Sequence, residues 1–320
     1  MKKTAVVLFN LGAPDDLKSV HKFLFNLFSD PAIIALPAPL RYLLALIISA
    51  LRAKTSKKIY EILGGKSPLL EITNRQAESL ERALSFRSNY KVFVAMRYWH
   101  PFSYETIEKI KLYQPDEIIL LPLYPQFSTA TTGSSFIDFM RQIIKQKINI
   151  PIKKIYHYSY DDKFIFSHLR LIKQTIARAE SLGYKNNYRL LFCAHGLPQK
   201  MIDDGDVYVA QIKISTKSII IKLKIDLQEI DYRICYQGKV GFKEWTKPSL
   251  ELEVKRAALD KKAIIIVPIS FVSDHSETLF ELDIKYKNLA YNLGAPLYLR
   301  VPALNDDGYF IDALANLCGQ

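Results

Sequence analysis

The chain reads as an α/β protein made of two similar halves, each a parallel four-stranded sheet flanked by helices, with a cleft between them. Three observations carry that reading. Short apolar, β-branched runs of strand length alternate with helical segments. That alternation runs through its cycle twice, as parallel sheets with helical crossovers require. The two cycles also share a local pattern: Leu120-Leu121-Pro122-Leu123-Tyr124 in the first matches Ile266-Val267-Pro268-Ile269-Ser270 in the second. A length of 320 residues suits two cores at ~150 residues per domain. The boundaries fall at 1–157 for the first domain and 158–305 for the second, with a C-terminal helix over 306–320 packing back on the first.

Composition narrows the class. The chain is 49% hydrophobic and 24% charged, with 12 Gly and 15 Pro, which suits an ordered globular protein. The formal charge of +12 would permit nucleic-acid binding, but the lysines are scattered and no zinc-finger or RNA-binding signature accompanies them. No nucleic-acid partner is expected. Three cysteines, Cys193, Cys235 and Cys318, cannot make a complete disulfide framework or supply four thiolates to an ordinary iron–sulfur cluster. A reducing, cytoplasmic location follows, with no cluster and no permanent cofactor. The opening Met1-Lys2-Lys3 and apolar run imitate an export signal, but Gly12, Pro14 and Asp15-Asp16 interrupt it without a cleavage pattern.

The first strand is predicted at 4–11, followed by a turn at Gly12-Ala13-Pro14 and a helix over 17–27. One glycine there is not the glycine pattern of a dinucleotide fold. Residues 31–52 are apolar nearly all round and flanked by Arg52, Lys54, Lys57 and Lys58. They suit either a core helix or an exposed lip that dips into a membrane surface or covers an apolar ligand. Gly64-Gly65-Lys66-Ser67-Pro68 makes a turn, 71–86 an amphipathic helix, 90–98 the second strand and 104–113 a helix. The third and fourth strands are predicted at 117–123 and 152–156. Strands at 188–194, 232–236, 263–269 and 296–301 build the second half.

In open α/β sheets, ligands bind outside the carboxyl ends of the strands. The residues delivered there are Asn10, Arg97, Tyr98, Tyr124, Gln126, Ser128, His195, Gln237 and Trp245, together with Ser273-Asp274-His275-Ser276-Glu277. That last stretch has two readings. Asp274 and Glu277 have the spacing of a capping box, with Asp274 capping the helix and Glu277 reaching back. Asp274, Glu277 and Glu281 also share a helix face at i, i+3 and i+7, an acidic row at a strand end. His195 ends a strand beside Gly196 and Pro198, a place that delivers a side chain to a cleft.

Six motifs in collinear order now converge. Phe9-Asn10-Leu11-Gly12-Ala13-Pro14, Gly64 to Pro68, Arg97-Tyr98, Leu123-Tyr124-Pro125-Gln126-Phe127-Ser128 through Gly133-Ser134-Ser135, Ala194-His195-Gly196-Leu197-Pro198 and Ser273 to Leu279 resemble the ferrochelatase family. The likeness covers nearly the whole chain. It implies two Rossmann-like domains clasping a porphyrin, with Fe²⁺ inserted into protoporphyrin IX as the last step of haem synthesis. His195 and Glu277 become the catalytic pair and iron ligands. Asp274, His275 and Glu281 match the supporting acidic row. Leu11, Ser67, Arg97, Tyr98, Tyr124, Ser128, Trp245 and Phe271 fall where the family lines its porphyrin pocket. Two segments depart from the family pattern: Asp206-Val207-Tyr208 lacks the usual proline, and Gln237-Gly238-Lys239-Val240-Gly241-Phe242 is looser.

Residue chemistry agrees with what the resemblance implies. A free-base porphyrin holds two N–H protons in its centre, so insertion needs distortion, proton removal and a partly dehydrated ion. A neutral imidazole can accept a proton or bind Fe²⁺, but not both through one nitrogen. Mutual repulsion within the acidic row should raise some of its pKa values. Protoporphyrin partitions to membranes, so the lip at 31–52 would dock at the inner face of the cytoplasmic membrane as a peripheral contact. The protein would act there as a monomer or homodimer. The rivals are a chelatase for coproporphyrin with iron or for cobalt and a corrinoid precursor, and a haem carrier with His195 as axial ligand. A two-domain periplasmic-type binding protein fits less well, because no export signal is recognised.

Overall fold

A computed structural model describes residues 2–86, 89–224, 229–238 and 244–319. The chain divides into two compact units, one of Met1–His157 with Ile311–Gln320 and one of Tyr158–Phe310.

The first unit is built on four parallel strands, β1 (Lys3–Asn10), β2 (Asn89–Met96), β3 (Glu117–Pro122) and β4 (Ile152–Lys154), in the order β2-β1-β3-β4. β1 is central and almost wholly buried, as an uninterrupted Ala-Val-Val-Leu-Phe run requires of a strand covered on both faces. Its helices are α1 (Val20–Phe28), α2 (Ala38–Ile62), α3 (Leu69–Ser85), α4 (Ser103–Tyr113) and α5 (Ser134–Lys145). On one face of the sheet, Phe9 meets Phe136 and Phe139 edge-on at 5.4 and 5.3 Å.

The second unit repeats the plan. Strands β5 (Tyr188–His195), β6 (Tyr232–Gln237), β7 (Ala263–Pro268) and β8 (Tyr298–Arg300) lie parallel in the order β6-β5-β7-β8. They are flanked by α6 (Asp162–Ser181), α7 (Gln199–Asp203), α8 (Tyr208–Leu223), α9 (Leu250–Leu259) and α10 (Lys287–Asn292), and α11 (Gly308–Gly319) closes the chain.

The shared proline motif marks equivalent places. Pro122 ends β3 opposite Phe9, and Leu123 N–H donates to the Phe9 carbonyl at 2.8 Å. Pro268 ends β7 opposite Cys193, and Ile269 N–H donates to the Cys193 carbonyl at 3.0 Å. Phe9 therefore corresponds to Cys193 and, two residues on, Leu11 to His195. Ala95 and Cys235 oppose Phe9 and Cys193 on the other side, so Arg97 corresponds to Gln237. After the third strand of each unit the chain enters its helix through a wide, i→i+5 hydrogen-bonded segment, Thr129–Gly133 in the first and Glu277–Tyr286 in the second.

Residues 38–52 of the apolar segment form the start of a single 25-residue helix, α2, with Pro37 as its cap residue. Only Ala45, Ser49 and Tyr60 of that helix are buried, packing with Val20, Leu24 and Phe28 of α1. Leu40, Tyr42, Leu43, Leu46, Ile47 and Leu51 are exposed, so a core helix is not what forms here. No described helix is long and apolar enough to cross a membrane.

Candidate active site

β5 delivers His195 at its last residue, and β6 delivers Gln237 directly opposite. Glu277 enters from the head of the wide segment after β7. The three side chains meet. His195 Nδ1 lies 2.8 Å from Glu277 Oε2, and Gln237 Nε2 donates to the same oxygen at 3.3 Å. Behind them the Cys193 thiol donates to Gln237 Oε1 at 3.3 Å, and His195 N–H donates to Ser270 Oγ at 3.4 Å. Trp245 stands edge-on to the His195 ring at 6.5 Å.

Two glycines make room for this arrangement. Gly238 has φ +85°, and a Cβ there would lie 2.4 Å from His195 Cε1. Gly196 lets its backbone donate to the Gln237 carbonyl at 2.7 Å, where a Cβ would press on that oxygen and on Trp245. The remainder of the Gln237 loop, Lys239 to Lys243, lies outside the described residues.

Burial would push the Glu277 carboxyl up, but the His195 imidazole, His275 and the Gln237 amide outweigh it and hold it at about 2. Burial likewise works against charging His195, and the Glu277 and Glu281 carboxylates overcome it and raise its pKa. An ionised Glu277 only accepts, so His195 Nδ1 carries the donated hydrogen. Nε2 is then the nitrogen left to receive a proton or a metal, and 38% of the His195 side chain is exposed.

The acidic row does not act as one set. Asp274 accepts from Arg300 Nη1 at 3.1 Å, from Asn305 Nδ2 at 2.8 Å and from Thr278 Oγ1 at 2.8 Å. It is a neutralised anchor. The capping box does not form, because Glu277 turns to His195 and the cap is made by Thr278 Oγ1, which accepts from His275 N–H at 3.0 Å. His275 lies beside the site, its Nδ1 3.0 Å from the Ser273 carbonyl and its ring 5.2 Å from Phe271. Glu281 follows Glu277 by four residues on the wide segment, close enough to help charge His195.

The residues read as pocket lining in the first unit have different surroundings. Arg97 is held by Asp30 at 2.8 Å and by Ser134 Oγ at 2.7 Å, with its guanidinium 5.0 Å from the Tyr98 ring. Tyr98 is fully enclosed, its hydroxyl on Asp30 at 2.8 Å. Tyr98 and Arg97 thus share Asp30 as partner. Ser128 is also buried, its hydroxyl accepting from Ala130 N–H at 3.1 Å as a local cap. Ser67 is buried and accepts weakly from Leu69 N–H at 3.3 Å. Leu11 is partly buried, and Tyr124 is mostly buried beneath it in the core of the first unit. In the second unit Phe271 is largely buried and Trp245 is half-buried.

Gln237 and Cys193 were legible only as a strand-end polar residue and a small core residue. Their joint role comes from register: Cys193 and Cys235 are opposed on β5 and β6, which sets Gln237 two residues beyond Cys235.

A paired imidazole and carboxylate at the carboxyl edge of a parallel sheet, with an open ring nitrogen, have the chemistry to accept a proton or hold a metal ion. The solved structures the chain is similar to agree on the fold: the sirohydrochlorin chelatase SirB of Bacillus subtilis subspecies spizizenii in complex with cobalt matches at TM-score 0.56 and 9% identity, over 98% of this chain and 93% of that one. The family model for ferrochelatase matches residues 3–320. The ferrochelatase of Rickettsia bellii is 49% identical over 99% of this chain and 86% of its own length, and that of a Wolbachia strain from Drosophila simulans is 48% identical over 99% and 98%. The chain belongs to the ferrochelatase family. It is a metal-insertion enzyme, a ferro-lyase of haem biosynthesis with porphyrin and iron as substrates.

Proposed function

We propose that the protein inserts Fe²⁺ into protoporphyrin IX, with His195 as the group that receives pyrrole protons and Glu277 as the carboxylate that stabilises the resulting imidazolium. The carrying observation is the 2.8 Å contact between His195 Nδ1 and Glu277 Oε2. With Nδ1–H donated to Glu277, the Nε2 lone pair is free to take a proton. A carboxylate held at about 2 is a poor base near neutrality, whereas an imidazole with a raised pKa is a good one. The reaction releases two protons as two N–H bonds are replaced by bonds to iron, so the imidazole must pass its proton on before the second transfer. Glu281, four residues along from Glu277, is the nearby carboxylate suited to that relay.

Iron is substrate here. His195 and Glu277 supply one nitrogen and one oxygen donor, a set that suits transient holding of Fe²⁺ when the imidazole is unprotonated. Among the described residues no group of three or more His, Cys, Asp or Glu side chains converges to hold a metal. Arg97, Tyr124, Leu11 and Ser67 of the first unit and Trp245 and Phe271 of the second are the proposed porphyrin contacts. Arg97 would meet the acidic edge of the macrocycle and the aromatic rings its face.

The exposed apolar side of α2, followed by Arg52, Lys54, Lys57 and Lys58, supports peripheral docking to an anionic membrane surface at its cytoplasmic side.

The deciding experiment mixes purified protein anaerobically with Fe²⁺ and protoporphyrin IX and follows metalloporphyrin absorbance. The wild type should exceed the uncatalysed rate, and His195→Ala should fall by about 100-fold or more. No rate above background, or an unaltered rate in His195→Ala, would overturn the reading.

A further inference from the structure

Gln237 is a buried polar side chain, 2% exposed, and its amide is used at both ends. Nε2 donates to the Glu277 oxygen that also faces His195, and Oε1 accepts from the Cys193 thiol. An amide can rotate to exchange its oxygen and nitrogen, but an ionised carboxylate only accepts, so the Glu277 contact requires the amine end there. The carbonyl end is then left to accept from the Cys193 thiol, which anchors the far side of the amide. Cys193 is itself fixed as a central residue of β5, opposite Cys235.

The first unit offers an independent parallel. Arg97 occupies the position that Gln237 holds in the second sheet, and it too reaches the head of the helix after the third strand, at Ser134. In both units this strand-end position steadies that helix start. Only in the second does the contact fall on an ionised carboxylate beside an imidazole.

We infer that Gln237, anchored at its carbonyl end by the Cys193 thiol, is a positioning residue that holds the Glu277 carboxylate against His195. Without it, Glu277 has a single side-chain partner on Oε2 and can rotate away from the imidazole, so the proton acceptor is aligned for a smaller fraction of the time. Gln237 itself is almost fully enclosed and offers little surface to a substrate. The loss therefore falls on turnover and spares porphyrin binding.

This inference rests on the proposed roles of His195 and Glu277, and its test separates the two. Gln237→Met keeps the length and removes both amide contacts. It should lower kcat for iron insertion by about tenfold or more while the porphyrin KM stays within about twofold. The Cys193 variants give opposite orders for two explanations. If the thiol acts by donating, Cys193→Ser retains more turnover than Cys193→Val. If Cys193 only packs, Val is the better replacement, because a hydroxyl is costlier to bury in an apolar strand. A readout free of catalysis is the proton resonance of His195 Nδ1–H in metal-free protein, which should lose its hydrogen-bonded shift in Gln237→Met and in Cys193→Val. An unchanged kcat and resonance in Gln237→Met, or Val surpassing Ser, would overturn the inference. An inactive wild type with the resonance changes intact would instead overturn the proposed reaction and leave the positioning role standing.

Discussion

Arg300 at the end of β8 reaches back to Asp274, with Nη1 3.1 Å from Oδ1, and places its other face on Asp283 at 2.7 and 2.8 Å. One guanidinium thus joins a residue three positions before the wide segment to one within it. Asp274 and Arg300 are 14% and 11% exposed, so this is a mostly desolvated pair. Losing one partner of such a pair leaves a charge without compensation. Arg300→Leu should cost roughly 3 kcal/mol in urea unfolding and also lower turnover, since Glu277 lies on the segment it pins. Arg300→Lys should recover only part, because an ammonium cannot make the forked contact with Asp283. A loss under about 1 kcal/mol in Arg300→Leu would show that Asn305 and Thr278 hold Asp274 unaided.

The His195–Glu277 pair sets a pH window for stability. Glu277 sits lower in the fold than its ordinary 4.5, so its contribution is present above about 4.5 and is lost as pH falls toward 2. His195 sits higher than its ordinary 6.5, so its contribution is full below that value and is lost as pH rises through the folded pKa. The stability difference between wild type and Glu277→Gln should be largest between pH 4.5 and 6.5 and smaller on either side. Chemical denaturation across pH 3–9 would measure it, and a flat difference would refute the ion pair.

His168 is a second, unrelated histidine with an opposite sign. It is fully buried in α6, edge-on to Phe164 at 4.9 Å, and neither ring nitrogen has a hydrogen-bond partner. Burial pushes its pKa down to about 3. Below about pH 6.5 the unfolded chain takes up a proton that the fold refuses, so stability falls from there toward pH 3. His168→Leu should move the acid-unfolding midpoint to lower pH and leave turnover at neutral pH close to wild type. A midpoint that stays in place would mean that other groups set the acid limit.

The α2 lip gives a binding prediction. Co-sedimentation with vesicles of anionic phospholipid should be substantial for the wild type and should fall at least severalfold when Leu43, Leu46 and Ile47 together become Ser. Raised salt should weaken it further through the basic residues after Leu51. Equal binding by wild type and triple variant would remove the membrane role from this face.

Much of the fold could be read directly from the residues. Buried parallel strands are near-continuous apolar runs, so 4–11, 117–123, 188–194 and 263–269 stood out, and the proline motif related the halves before any coordinates. The short strand Tyr298–Arg300 ran shorter than its apolar run suggested, because only three of its residues find ladder partners on β7. His195 and Glu277 were legible as strand-end chemistry, although 82 residues separate them. The capping box was misleading for a physical reason. Asp274 and Glu277 have the spacing for local caps, but Arg300 and His195 are stronger, charged partners supplied by distant strands, and they win. Tyr98 reads as a cleft residue by its position in the chain, yet a buried carboxylate, Asp30, draws its hydroxyl inward. Gln237 was legible as a strand-end polar residue but not in its link to Glu277 and Cys193, since that depends on which residues stand opposite it in neighbouring strands.

The wide winding after the third strand occurs in both units, at Thr129–Gly133 and at Glu277–Tyr286, and the second begins at the carboxylate paired with His195. Leu11 stands in the first sheet where His195 stands in the second. A strand ending in proline followed by an i→i+5 wound segment thus occurs with Leu11 at the neighbouring strand end in one unit and with His195 in the other. In the second unit that segment begins at Glu277 and carries Glu281 four residues on, so the unusual winding sets the spacing of the two acids whose charge acts on His195.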